Sequence, residues 1–330
     1  MNNDKVIIMM ATFNGEKYLS EQLDSLINQS YINWELIVSD DNSQDNTVKI
    51  LEEYQKRDPR IVKILHNEKV HGPFANYFNV MSYVKKIKKD YQFFFYCDQD
   101  DVWTKDKIEI QIESLKGKSS EPAFCYSDLE ICDMNCKSLG DRMSNHINTQ
   151  FYKNPYNEFL KEQYVWGTAM AHNKKLWDLI LIEDVGKVKN LISHDSYISR
   201  YAAVYAKIQY ISKPLVNYRR VGNNVTDTPN KYSIVDIIKK CTLKFPKIVN
   251  NAAMTYWNSL YFLDKAPKNT VDIENLKLLF NGNLISKIKI LKKYRLMKEE
   301  NLLGKSSTFL ILFSNLYRVT KIFQLDYKKV

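Results

Sequence analysis

Three carboxylates fall within four residues at Asp98-Gln99-Asp100-Asp101, directly after the apolar run Phe93 to Cys97. Like charges crowded in this way repel one another unless a cation or specific donors compensate them. A hard divalent ion, Mg²⁺ or Mn²⁺, takes such oxygens and keeps positions open for phosphate. A turn or a helix cap explains one aspartate after a strand but has no use for three, and Thr104 is placed to cap the helix that follows. Two further polar segments close apolar runs: Thr12-Phe13-Asn14-Gly15 and Asp40-Asp41-Asn42-Ser43. For Asp40 and Asp41 a turn-forming role and a ligand-binding role weigh equally. His194-Asp195 opens a helical stretch, where the acid is either a functional carboxylate or a first-turn residue favoured by the helix dipole.

The elements that must hold these segments alternate in type. Apolar runs at Val6 to Ala11, Glu35 to Ser39, Ile61 to Leu65 and Phe93 to Cys97 read as strands. Between them, Tyr18, Leu19, Leu23, Leu26 and Ile27, then Val48, Leu51 and Tyr54, then Tyr77, Val80, Met81 and Val84 recur at helical spacing. A helix from about Lys105 to Leu115 follows. This order predicts an α/β fold with a doubly wound, mostly parallel sheet, in which ligands bind beyond the carboxyl ends of the strands. The three polar segments lie at such ends. Ala123 to Ser127 reads as a fifth strand and residues 133–165 as irregular. Thr168 to His172 reads as a strand, Lys174 to Ile180 and His194 to Tyr205 as helices, and Lys207 to Ile211 and Leu215 to Arg219 as two short closing strands. From Tyr232 onward only helical patterns remain.

Composition narrows the classes. The chain has 330 residues, 45% hydrophobic, with five irregularly spaced cysteines and no CxxC pair, so the thiols read as buried and reduced. No GxGxxG or GxSxG occurs, which argues against a dinucleotide fold and a hydrolase elbow. Gly304-Lys305-Ser306 lacks the upstream glycine of a phosphate-binding loop. No apolar stretch approaches the length that spans a bilayer, and the first residues lack an export signal. Charge is lopsided: residues 1–230 hold 29 basic and 31 acidic side chains, residues 231–330 hold 19 and 7. Such a basic end implies an anionic partner.

Four ordered segments then carry a resemblance. Ala11-Thr12-Phe13-Asn14, Ser39-Asp40-Asp41-Asn42-Ser43, Asp98-Gln99-Asp100-Asp101 and His194-Asp195 together resemble the family 2 glycosyltransferases, which have the GT-A fold. The match covers roughly residues 5–225. The resemblance implies a nucleotide-sugar donor whose base is read by the backbone around Thr12 and by Asp41. It places Asp98 at the ribose region, Asp100 on a Mg²⁺ or Mn²⁺ ion bridging the diphosphate, and Asp195 as the general base of an inverting transfer. Asp128 is the next candidate base. The family's usual acidic pair is Glu-Asp; His194 stands in its first position here. Cys97-Asp98-Gln99-Asp100-Asp101-Val102-Trp103 and Tyr218-Arg219-Arg220-Val221-Gly222-Asn223-Asn224 resemble the rhamnosyltransferase-like branch, which implies dTDP-L-rhamnose as donor and a bacterial surface polysaccharide as product.

Other residues carry two readings each. Arg219 and Arg220 either contact the donor diphosphate or are solvated. Trp103 and Trp166 either stack on sugar rings or fill the core, and Gly167 either admits a ligand or makes a bend. The expected organisation is a GT-A domain over 1–225 and a helical, basic region over 226–330. The expected partners are a dTDP- or UDP-sugar, a polyprenyl-diphosphate-linked glycan acceptor and the anionic inner face of the cell membrane, where the protein would sit peripherally in the cytoplasm. Leu284, Ile285, Ile288 and Leu291 mark one helix face suited either to a lipid interface or to packing on the catalytic domain. A UDP-hexose transferase is the near alternative. A sugar nucleotidyltransferase is disfavoured because only Gly15 stands near the first strand, and a nucleic-acid-binding protein because the tail lacks a known module.

Overall fold

The computed structural model describes residues 4–68, 70–117, 120–146, 150–160, 165–182, 193–220, 252, 255–296, 308 and 312. The first half is a repeated strand–helix unit: β1 (Val6–Thr12), α1 (Leu19–Ile27), β2 (Trp34–Asp40), α2 (Thr47–Arg57), β3 (Ile61–His66), α3 (Pro73–Ile87) and β4 (Phe93–Cys97). These four strands pair in parallel in the order β3-β2-β1-β4. Alternate residues of β1 feed opposite cores: Ile7 and Met9 face α3, while Val6, Ile8 and Met10 face α1. Burial on both faces explains why β1 and β4, and most of β2, read as continuous apolar runs.

Beyond β4 the sheet changes sense. The short β5 (Val102–Trp103) and α4 (Lys107–Lys116) lead to β6 (Ala123–Cys132) and the hairpin strand β7 (Ser138–Arg142). Four 3-10 turns follow, at Met143–Asn145, Gln150–Lys153, Pro155–Phe159 and Gly167–Ala169. Then come β8 (Met170–Asn173), α5 (Lys174–Leu179), α6 (His194–Tyr205) and β9 (Lys207–Arg219). The strand β8 lies antiparallel between β4 and β6, and β6 pairs in parallel with β9. The α/β class and the parallel first half match the expectation; the second half is mixed. Two expected closing strands are one long β9. Pro214, which has no N–H to donate, stands opposite Asp128 where the ladder shifts register, so the strand continues past a bulge instead of ending. Thr104 does not cap α4: its hydroxyl donates to Asp106, and the helix begins at Lys107.

The described C-terminal helices share the core of the sheet domain. A helix over 255–265 (α7) precedes α8 (Val271–Asn281) and α9 (Leu284–Lys293). Tyr256, Leu260, Phe262 and Ile273 join the same apolar cluster as Tyr197 and Tyr201 of α6. The junction is pinned by a fully buried ion pair. Arg200 Nη1 donates to Glu158 Oε1 at 2.9 Å, Ser196 Oγ donates to the same oxygen at 2.7 Å, and Ser259 of α7 sits beside the guanidinium. The expected domain boundary at 225/226, the Val221–Asn224 part of the second motif and Gly304-Lys305-Ser306 lie outside the described residues. Among the described residues no helix is long and apolar enough to cross a membrane.

Removing one member of a buried pair strands the other's charge in a dry site, at a cost of about 3–5 kcal/mol. Arg200→Met is therefore expected to lower unfolding free energy by that amount in a urea titration. A loss below about 1 kcal/mol would show that the pair does not fix α6.

Candidate active site

The carboxyl ends of β1, β2 and β4 are stitched into one rim. Asn76 of α3, fully buried, donates to Thr12 O and Ser39 O at 3.0 and 2.9 Å and accepts from Ser39 Oγ. Asn14, at φ 46°, takes Gln44 N on its side-chain oxygen, and its own N–H donates to Ser43 Oγ. Gln99 clasps Phe13 by N–H and C=O, both at 2.9 Å. Gly15 permits this closeness, since a Cβ there would lie 2.3 Å from Gln99 Oε1.

The adjacent aspartates of the second segment divide their work. Asp40 is fully buried and accepts from Thr12 Oγ1, Ser43 N and Ser43 Oγ, so it forms the turn. Asp41 faces a cavity of about 730 Å³, with its carboxylate held by Gly72 N at 2.7 Å, Asn67 Nδ2 at 2.8 Å and His71 Nδ1 at 2.9 Å. The same cavity is lined by Ala11, Thr12, Tyr77, Asp98, Asp100, Trp166, Gly167, His194, Asp195 and Tyr218. Segments distant in sequence thus meet at one opening beyond the strand ends, where an open α/β sheet places its ligand.

The acidic loop sets the electrostatics. Burial, then Asp100 and Asp195 nearby, push the Asp98 carboxyl up to about 7, against a hydrogen bond from the Tyr77 hydroxyl at 2.7 Å. Burial raises Asp100 as well. Asp101 lies beneath, buried, and accepts from Arg219 N. Two basic side chains lie near the loop. Arg219 gives its guanidinium to Asp100 O, Met134 O and Glu21, at 2.9, 2.7 and 2.8 Å. Lys107 is fully buried over the Trp103 ring, donates to Gln111, and is lowered by burial to about 7. His194 stacks on Tyr77 with ring centroids 3.5 Å apart, and burial holds it near 4, hence neutral. Gly167 makes room for that ring: a Cβ there would stand 2.2 Å from His194 Nε2. Asp195 is in the first turn of α6 behind the cap Ser193. Among the described residues no group of three or more His, Cys, Asp or Glu side chains converges as a metal cage.

The sequence model described as Glycosyl transferase family 2 matches residues 7–179. The chain belongs to glycosyl transferase family 2. This glycosyltransferase is 31% identical over 222 residues to the dTDP-rhamnosyl transferase RfbG of Shigella flexneri, spanning 65% of this chain and 72% of that protein. It is 35% identical over 137 residues to the UDP-Glc:alpha-D-GlcNAc-diphosphoundecaprenol beta-1,3-glucosyltransferase WfgD of Escherichia coli, spanning 41% of this chain and 49% of that one. Its fold resembles the crystal structure of S. aureus TarS 1-349, with TM-score 0.51 at 14% identity over 88% of this chain and 80% of that one.

Several expected residues stand elsewhere in the transferase. Trp103 is 3% exposed, donates to Thr168 Oγ1 and roofs Lys107, so it fills the core and does not line the cavity. Arg219 braces the acidic loop from below and faces away from the opening. Arg220 is half-buried, pairs its backbone N–H with Cys132 O and is absent from the lining. Asn14 shapes the rim without lining the cavity. Asp128 accepts from Ser144 N and Ser144 Oγ, well occupied as a turn residue. Four residues of the transferase's site carried no sequence signal of function. Tyr77 read as an apolar helix position, His71 and Gly72 belong to no motif of fixed spacing, and Gln99 stood inside the acidic motif with no role assigned to it.

Asp98 binds its proton more tightly folded than unfolded, so its ionisation removes stability as pH rises from the ordinary carboxylate range through about 7. Asp98→Asn is expected to raise the Tm of the metal-free protein by a few degrees at about pH 8, with the gap narrowing below about pH 7 and closing near about pH 4. A gap independent of pH would deny that Asp98 is held against its charge.

Proposed function

We propose that the enzyme moves a sugar from a nucleoside-diphosphate donor to an acceptor hydroxyl in one displacement that inverts the anomeric carbon. The observation that supports it is the meeting of Asp41, Asp98, Asp100 and Asp195 around one cavity. The base of the nucleotide lies between the Thr12 backbone and Asp41, whose carboxylate is fixed for hydrogen bonding by Gly72, Asn67 and His71. Asp98, oriented by Tyr77, meets the ribose region. Asp195 takes the proton of the acceptor hydroxyl as it attacks, and no covalent sugar intermediate is required. Trp166, Gly167 and the neutral His194 surround the sugar.

Mg²⁺ or Mn²⁺ fits the loop. Carboxyls whose proton affinity is raised by burial and by a neighbouring carboxylate would gain from a cation, and Asp100 would hold it. The ion, when bound, offsets the charge of the leaving diphosphate. The likeness to RfbG supports dTDP-L-rhamnose as the donor, and that to WfgD supports a UDP-hexose as the second reading. The diphosphoundecaprenol in WfgD's name supports a hydroxyl of a lipid-linked glycan as the acceptor, in bacterial surface polysaccharide synthesis at the inner face of the membrane.

The test is a screen of dTDP-, UDP- and GDP-sugars for hydrolysis and transfer with metal present, followed by the anomeric configuration of the product. Asp195→Asn is expected to keep nucleotide affinity while losing ~10²–10⁴-fold in transfer. A product of retained configuration, or a variant within a few-fold of wild type, would remove Asp195 from that role.

A further inference from the structure

We infer that the outward face of α9 docks the enzyme on an anionic lipid surface, with Leu284, Ile285 and Ile288 entering the interface and Lys289, Lys292 and Lys293 meeting the headgroup phosphates. This deepens the reading of a lipid-linked acceptor by naming the surface that brings the enzyme to it.

The ten residues Leu284–Lys293 are amphipathic, and the side that packs on the body is only in part the apolar face read from the sequence. Ile290 is buried, Leu291 is partly buried against the core, and Lys287 is buried with its ammonium donating to Leu312 O. Leu284, Ile285 and Ile288 instead remain 54%, 67% and 43% exposed. At 100° per residue these three cover a sector of about 100°, with Ile290 nearly opposite its centre, Lys287 about 60° beyond its Leu284 edge and Leu291 about 20° beyond that edge. The helix is thus already seated by its inner side, and the apolar stripe contributes nothing to that seating. Single exposed apolar residues are ordinary, whereas three on one helical turn form a patch that water disfavours. Leu278, 47% exposed, lies on α8 one turn before the corner that leads into α9.

Charge selects the occupant. The helix has no acidic residue, and its exposed lysines continue the same side: Ile288 to Lys292, and Ile285 to Lys289 to Lys293, are steps of one turn. Residues 231–330 as a whole carry 19 basic and 7 acidic side chains. Two copies meeting through this face would set lysines against lysines, which opposes a self-dimer. An apolar stripe bordered by ammonium groups suits a bilayer interface, where the stripe enters the acyl boundary and the lysines stay among phosphates.

The test uses the full chain in flotation with vesicles of phosphatidylcholine alone and of phosphatidylcholine with phosphatidylglycerol. The wild type is expected to float with the anionic vesicles and less as salt rises. Combined Leu284→Ser, Ile285→Ser and Ile288→Ser should lower partition at least about tenfold at every ionic strength. Combined Lys289→Gln, Lys292→Gln and Lys293→Gln should lower it about fivefold per lysine at low salt. A wild type that stays unbound overturns the inference, as do variants that float like wild type. So does a wild-type dimer in light scattering that the serine variant converts to a monomer with flotation unchanged. Donor hydrolysis in solution is measured on each variant in parallel. Hydrolysis kept while flotation fails in the wild type refutes the docking face alone, and hydrolysis absent with flotation intact refutes the transferase reading alone.

Discussion

Carboxylates crowded at the end of one buried strand are the constraint around which this glycosyltransferase is organised. Asp98, Asp100 and Asp101 follow β4, with Asp195 close enough to add to the repulsion. Held together, they would drive the loop apart or take up protons. The fold restrains them with a hydroxyl from α3, a backbone N–H from β9 and the guanidinium of Arg219, which grips the loop carbonyl. Gln99 between them anchors the loop to the first strand end. Carboxyls held against their charge in this way would gain from a divalent cation, which is the usual relation between perturbed carboxyls and function.

The parallel half of the fold was legible because β1 and β4 are buried on both faces and therefore uninterrupted in apolar character, and β2 nearly so. The ligand side was legible because open α/β sheets bind beyond their strand ends, which made Thr12, Asp41 and Asp98 to Asp101 candidates together. What escaped was direction. Arg219 and Trp103 have the chemistry of a donor site, yet both point inward and serve the loop from beneath. Nothing in side-chain type tells whether a residue before or after a bulge faces the ligand or the core. Tyr77 escaped for the opposite reason: its ring belongs to the apolar side of α3, and only its hydroxyl reaches Asp98. The single long β9 escaped because Pro214 normally ends a strand, and here the opposing bulge absorbs it.

The C-terminal helices show a related limit. Periodicity placed Leu284, Ile285, Ile288 and Leu291 on one side of α9, and left open whether that side packs or faces out. The structure divides the set, drawing Leu291 toward the core through its neighbour Ile290 and leaving the other three to solvent. Two inward positions, one of them a lysine satisfied by a carbonyl, suffice to seat the helix because α7 and α8 already join the sheet domain's core and the Glu158–Arg200 pair fixes α6 beside them. A helix held so economically is free to present an apolar surface elsewhere.

The central claim is that the acidic loop binds a cation and a nucleoside diphosphate as one unit. Calorimetric titration of UDP and dTDP with and without Mn²⁺, in wild type and in Asp100→Asn, tests it most directly. The account requires at least about tenfold tighter binding with metal in the wild type, a gain of about 1.4 kcal/mol, and little or no such gain in the variant. Nucleotide affinity indifferent to metal in the wild type, or an equal gain in Asp100→Asn, would contradict it.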